Sequence, residues 1–424
     1  MSLNLGHSEK DGWPANGAGR SSIHVLTLTP FFPSAGDEVS GCFIADSIGQ
    51  LEQSGVASRV VAALPMHYRR REPDPSAPAD WVRYPQIPGN LGLSSAGRWL
   101  YLRLRALEMV RRRNRETRID LIHLIHLIHA HSALPCGQAA ALLSRHLNIP
   151  FVVTVHGLDV FNTCFVGGAA VEWRRRASIN VYRAASKVIC ISERVRRALQ
   201  NGMQKDVRST VVYNGTDTDF FSPASAATGV AAEQEILVVG NLIVDKGHEL
   251  VLRAVRQLAA AFPQLHCRII GEGPDRDRLE ALTDELGIAQ CVQFEGRKSR
   301  AEVAAAMRAC SVFVLPSRYE GLGCVYLEAM ACGKPVIACR GQGIDEVIEQ
   351  GKNGWLIPSW VTPTEGCDQL AQALSALLRS PELCARLGAS ARETILNRLT
   401  LSQQAEHLVK IYAEAIEGAA GHSS

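Results

Sequence analysis

No uninterrupted apolar stretch reaches the ~18 residues that a membrane-spanning helix needs, so no segment reads as transmembrane. No C-x-x-C pair occurs among the 12 cysteines and their spacing is irregular, which argues against a disulfide framework. Several of them (Cys190, Cys267, Cys310, Cys339) fall in apolar runs, where a reduced thiol behaves as a small hydrophobe. A reducing cytoplasm is the expected setting. Met1 to Arg20 lacks the apolar stretch of a signal peptide; it is polar and rich in Gly, Ser and Asn, and reads as a disordered tail. The net charge of +3 gives no ground to expect a nucleic-acid partner.

The 424 residues suffice for two to three domains, and 46% hydrophobic with 21% charged residues describes a globular protein. Charge is unevenly spread. Of the 45 Lys/Arg and 42 Asp/Glu, residues 59–118 hold 13 and 5, so this stretch is basic while the remainder is slightly acidic. Short β-branched apolar runs starting at Ile23, Ser58, Leu127, Phe151, Lys187 and Thr210 read as strands. A second set starts at Glu235, His266, Cys291, Ser311 and Val336, with helix-like segments between. This alternation predicts an α/β protein with two parallel-sheet halves and ligand sites at the carboxyl ends of the strands. The segment from Ser222 to Glu233, rich in Pro, Ala, Ser and Gly, reads as the linker. Leu-Ile-His occurs three times over residues 121–129, and only the last copy reads as strand.

Two carboxylates, Glu320 and Glu328, stand eight residues apart, the first on a glycine-rich turn and the second about two helical turns on. Both can face one cleft. Backbone N–H groups of Gly321, Leu322 and Gly323 open the helix from about Cys324 to Ala331, where the positive dipole end favours a phosphate or hydroxyl-rich group. Lys246, in the turn that starts at Gly240 and Asn241, can meet a diphosphate as a point charge. His156 closes a strand before Gly157, so its imidazole can enter the cleft. Gly271 and Gly273 form a turn after another strand; Arg276 occupies the position of the third glycine of a dinucleotide fingerprint, so a nicotinamide cofactor is poorly supported. Gly41 lies in the long loop after the first strand. Asp217 and Asp219 read as turn residues rather than metal ligands, and His129, His131 and His156 lack the partners for a zinc site.

With its flanks, Glu320 to Glu328 resembles the E-x7-E motif of retaining, GT-B-fold glycosyltransferases of the family-4 type (glycosyl transferases group 1). The similarity covers roughly residues 23 to 415 and includes T-x-H-G-x-D around His156 and the Lys246-Gly247 turn, although Asn241 replaces the family's usual Arg. It implies two Rossmann-like domains facing across a cleft: 21–221 for the acceptor, a linker at 222–234, 235–398 for the donor, and a helix at 399–418 crossing back to the first. By the same resemblance, Glu320 and His156 act at the donor sugar and Glu328 binds the ribose hydroxyls. Lys246, Asn241, Gly41 and the 321–323 turn surround the diphosphate, and Gly271 and Gly273 line the cleft.

The implied reaction moves a hexosyl unit from a UDP- or GDP-sugar to an acceptor hydroxyl with retention, without metal or cofactor. The expected role is in cell-surface polysaccharide or glycolipid assembly. Alternatives are a sugar-nucleotide epimerase of the same overall fold, or transfer to a soluble small molecule. Residues 97–115 combine Trp99, Leu100, Tyr101 and Leu104 with Arg111, Arg112, Arg113 and Arg115, and Arg69, Arg70 and Arg71 add charge. Such a helix suits an anionic membrane surface. A lipid-linked or polysaccharide acceptor and a peripheral position on the inner face of the cytoplasmic membrane are expected from it.

Overall fold

The β-branched runs bury on both faces, as strands between helix layers must. The structure, a computed structural model, describes residues 23–35, 37–66, 79–85, 96–105, 125–157, 159–161, 169–203, 207–224 and 234–421. Seven parallel strands, β1 (Ile23–Thr29), β2 (Val56–Pro65), β3 (Asp80–Tyr84), β4 (Leu127–His131), β5 (Phe151–Val155), β6 (Lys187–Cys190) and β7 (Ser209–Val211), form one sheet in the order 3-2-1-4-5-6-7. All five residues of β4 and of β5 are buried. The helices of this domain include α1 (Cys42–Gln53), α2 (residues 96–105), α3 (Gln138–Leu147), α4 (Ala169–Ala184) and α5 (Glu193–Met203).

A second parallel sheet follows the order 10-9-8-11-12-13. Its strands are β8 (Glu235–Val239), β9 (His266–Ile270), β10 (Val292–Gly296), β11 (Val312–Val314), β12 (Val336–Cys339) and β13 (Trp355–Ile357). Helices α6 (His248–Leu258), α7 (Arg276–Glu285), α8 (Arg300–Ala309), α9 (Cys324–Ala331), α10 (Pro363–Leu378) and α11 (Pro381–Arg398) complete this half. Both sheets change direction of strand order at their middle, β1/β4 and β8/β11, where an open parallel sheet leaves a crevice.

The last helix, α12 (Leu401–Ala420), starts at a capping box in which Thr400 and Gln403 satisfy each other's backbone N–H groups. Its buried residues Ala405, Leu408, Ile411, Tyr412 and Ala415 recur at helical spacing. They pack on Val25, Leu51, Leu127, Val152 and Ile189, so the C-terminus finishes the core of the first domain. Each large apolar side chain in that contact contributes about 1.5–3 kcal/mol.

Several sequence expectations fall outside the described residues: the 1–20 tail, Leu-Ile-His at 121–123, linker residues 225–233, and the arginines at 69–71 and 111–115. The described part of the basic helix, α2, is anchored in the domain. Leu100 is fully buried, Trp99, Tyr101 and Leu104 pack against the core, and Leu102 alone of its large apolar residues is mostly exposed. No described helix is long and apolar enough to cross a membrane.

Candidate active site

Strand ends bring the two domains together. After β11, Pro316 to Gly323 form a turn that ends at Gly323, whose φ of 85° favours glycine and which caps α9. After β5, His156 and Gly157 (φ 106°) form the opposing lip. A Cβ on Gly157 would lie 3.1 Å from the Gly321 Cα, and one on Gly321 would lie 2.6 Å from the His156 carbonyl oxygen. Two glycines are therefore what allows the lips to touch. Ser192 Oγ donates to the Gly321 carbonyl at 2.6 Å and fixes this approach.

Lys246 ends a short 3₁₀ turn, Val244–Lys246, one residue ahead of the Gly247 that caps α6, rather than starting the helix itself. Its Nζ lies 2.5 Å from Glu320 Oε2, and the two side chains keep only 19% and 14% of their exposure. Lysine and carboxylate, 74 residues apart in sequence, form a shielded ion pair inside the cleft. An incoming diphosphate would compete for that ammonium and free Glu320 to accept hydrogen bonds from a sugar. Asn241, by contrast, is exposed.

Glu328, on α9, faces α1 of the first domain. Burial pushes its carboxyl up to about 7; nearby Arg300 works against the rise and Asp46 adds to it. Arg300 reaches across the cleft to Asp46 on α1, with an NH1 to Oδ1 contact of 2.9 Å, and its guanidinium lies over Phe220 and Phe221. Beside it Arg297 pairs with Asp37 at 2.7 Å. A third bridge is made by Glu346. Its carboxylate accepts from the backbone N–H groups of Glu193 and Arg194 at 2.8 and 2.6 Å, and from the Tyr213 hydroxyl at 2.9 Å, capping α5 of the other domain. None of these cross-cleft partners was read from the sequence. The available signal for Glu346 was position alone: it follows β12 at the strand's carboxyl end.

His156 lies beside Phe43, ring edge to ring face with centroids 5.3 Å apart, and burial pulls its imidazole down to about 4. The ring is neutral at physiological pH. His129 and His131 are likewise held neutral by burial. The three histidines do meet in space, but their nitrogens engage one another, Thr154 and Tyr412.

Not every glycine serves the ligand side. A Cβ on Gly271 would lie 1.9 Å from the Gly240 carbonyl oxygen, and one on Gly273 would lie 2.2 Å from that of Leu242. Both therefore pack on the turn that carries Asn241 and shape it. Leu322 is 1% exposed with its side chain in the core, so only its backbone can serve a ligand. Gly41 (φ 78°) caps α1 and packs on the Phe31–Phe32 backbone, closing the loop after β1. Asp217 Oδ1 accepts from the N–H groups of Asp219 and Phe220 at 3.1 and 2.9 Å, as a turn residue does.

Residues 226–394 match the family model of the glycosyl transferases group 1, and residues 43–220 match that of glycosyltransferase family 4. An uncharacterized glycosyltransferase of Methanocaldococcus jannaschii is 31% identical, aligned over 62% of this chain and 68% of its own length. Sucrose-phosphate synthase from Thermosynechococcus elongatus has a similar structure, with a TM-score of 0.74 at 22% identity over 93% of this chain and 100% of that one. Anabaena HepE in complex with UDP and glucose has a TM-score of 0.68 at 20% identity, covering 92% and 99% of the two chains. Two facing parallel-sheet domains, matched half by half, place the chain in the group 1, family-4 type of glycosyltransferases with the GT-B fold.

Proposed function

We propose that this glycosyltransferase moves a hexosyl unit from a UDP- or GDP-sugar to an acceptor hydroxyl with retention of configuration, in the assembly of a cell-surface polysaccharide or glycolipid. The observation that carries the proposal is the Lys246–Glu320 pair, shielded in the cleft opposite a neutral His156. During transfer the bond from the sugar C1 to the β-phosphate oxygen breaks and negative charge grows on that oxygen. Lys246 and the backbone N–H groups of the 321–323 turn, preorganised at the start of α9, stabilise it. The acceptor oxygen attacks C1 from the face the phosphate leaves, and the phosphate oxygen takes the acceptor's proton. Glu320 and His156 hold sugar hydroxyls, and Glu328 takes the ribose. No step uses a metal.

HepE was solved with UDP and glucose, which supports a nucleoside diphosphate sugar as donor here. Thermal unfolding in the presence of UDP, GDP and their sugars tests this directly. The expected result is a rise in melting temperature with one base and little with the other. No shift with any of them would remove the donor assignment.

The acceptor is proposed to be lipid-linked and met at an anionic membrane surface. Support comes from a cavity of about 730 Å³ between α2, α3 and α4, bordered by Arg98, Arg145, Arg176, Arg183 and Trp173, with no acidic residue among its described lining residues. Its floor is apolar, with Leu142 and Val181. Each basic side chain near such a surface is worth about 1 kcal/mol. In vesicle flotation, binding should require anionic lipid, weaken with salt, and drop when Arg98, Arg145 and Arg183 are all changed to Gln. Equal recovery on neutral and anionic vesicles would favour a soluble acceptor.

A further inference from the structure

Strand periodicity sets up a histidine ladder behind the site. β4 and β5 are parallel neighbours with His131 paired to Thr154, and side chains two residues apart share a face. His129 and His131 therefore stand together beside Thr154 and His156. His129 bonds Tyr412 Oη through Nδ1 and Thr154 Oγ1 through Nε2, each at 2.7 Å. His131 Nδ1 lies 2.9 Å from His156 Nε2, and both rings lie nearly in one orientation, 16° apart. The remaining nitrogen of His156, Nδ1, is buried without a partner.

We propose that His131 is a positioning residue that fixes the tautomer in which His156 meets the donor sugar. This rests on the assignment of His156 to the donor sugar made above. A hydrogen bond between two neutral imidazoles holds one proton, so the ring that donates at one nitrogen must present a bare lone pair at its other. The tautomer of His156 is thereby locked to that of His131: when His131 Nδ1 donates, His156 Nδ1 carries a proton for a sugar hydroxyl, and when His131 Nδ1 accepts, His156 Nδ1 presents a lone pair. Burial keeps both rings neutral, so neither position is doubly protonated at physiological pH. His131 is 7% exposed, and a cavity of about 20 Å³ beside the ladder has room for a single water, so bulk solvent does not scramble the pair. The relay stops at His131. His129 and His131 stack with centroids 4.5 Å apart and share no proton, so the Tyr412 hydroxyl on α12 anchors His129 without setting the tautomer of His156.

Nitrogen-15 spectra of the imidazoles, combined with donor turnover, test the proposal on the full chain. The wild type should show His156 in one neutral tautomer. His131→Leu should populate both and lower kcat roughly 10- to 100-fold, the scale for losing an orienting partner, with little change in donor KM. His131→Asn, whose amide sits near the Nδ1 position, should keep a hydrogen bond to His156 Nε2 and with it most of the rate. Tyr412→Phe should leave the tautomer and kcat unchanged. An unaltered His156 spectrum in His131→Leu, or equal losses in the Leu and Asn variants, overturns the positioning role. His156→Ala is the separating control: if it turns over normally, the assignment of His156 fails and the positioning role with it. If it is impaired while His131→Leu is not, only the positioning role fails.

Discussion

Lys246→Ala is expected to lose on the order of 10²–10³-fold in kcat, the cost of removing one preorganised donor from a developing oxyanion. The expectation follows from its surroundings. Asn241 stands on the neighbouring turn where a second cation would share the diphosphate charge, and it is uncharged and exposed. Arginines that cross the cleft are already engaged, Arg300 with Asp46, Arg297 with Asp37 and Arg194 with the Gly341 carbonyl. Lys246 also pairs with Glu320 at 2.5 Å, so the alanine variant leaves a partly buried carboxylate without that cation as well. Lys246→Arg should recover part of the rate by keeping the charge. Steady-state kinetics on the purified variants decide it: near-normal turnover in Lys246→Ala would mean that another residue holds the phosphate.

Glu328→Ala is expected to cost about 2–4 kcal/mol in donor affinity, because a carboxylate accepting from two ribose hydroxyls makes two charge-assisted hydrogen bonds. A pH signature accompanies it. With its folded value raised to about 7, Glu328 is largely protonated in the empty cleft at lower pH and must ionise to accept from both hydroxyls. Binding then releases a proton below that value. Donor affinity should rise roughly tenfold from about pH 5.5 to 7 and level off above. Glu328→Gln should bind weakly and without this dependence. Calorimetry with an intact sugar nucleotide, whose phosphates do not titrate in this range, separates the cases. A flat affinity profile in the wild type, or unchanged affinity in Glu328→Ala, would remove Glu328 from the nucleotide site.

The parts of the fold carried by local patterns were legible. Apolar β-branched runs such as Phe151–Val155 and Glu235–Val239 became strands with those bounds, and α9 spans Cys324–Ala331 because a glycine cap and a Gly-Lys-Pro stop bracket it. β3 and β13 were not read. Asp80–Tyr84, at a sheet edge, has neither an apolar run nor a strict alternation, and Trp355–Ile357 is too short to show a period. The site was legible where one segment carries it, as with Glu320 and Glu328. Contacts that depend on how the domains face each other, such as Glu346 on α5 or Arg300 on Asp46, leave no local pattern. Gly271 and Gly273 show the opposite limit: the sequence called for glycine there, but the tertiary reason is the backbone of the 240–242 turn. The histidine ladder is written in the sequence as H-x-H on one strand and T-x-H on the next, and becomes readable only once β4 and β5 are known to be neighbours.

Proton NMR of donor turnover tests retaining transfer at this cleft most directly. The enzyme is incubated in EDTA with the α-linked UDP- or GDP-hexose that protects it from unfolding, with water as surrogate acceptor, and the released sugar is observed before mutarotation. The account predicts that the α-anomer appears first, at a rate unaffected by the chelator and strongly reduced in Lys246→Ala. Release of the β-anomer first, or loss of activity in EDTA that Mg²⁺ or Mn²⁺ restores, would contradict it.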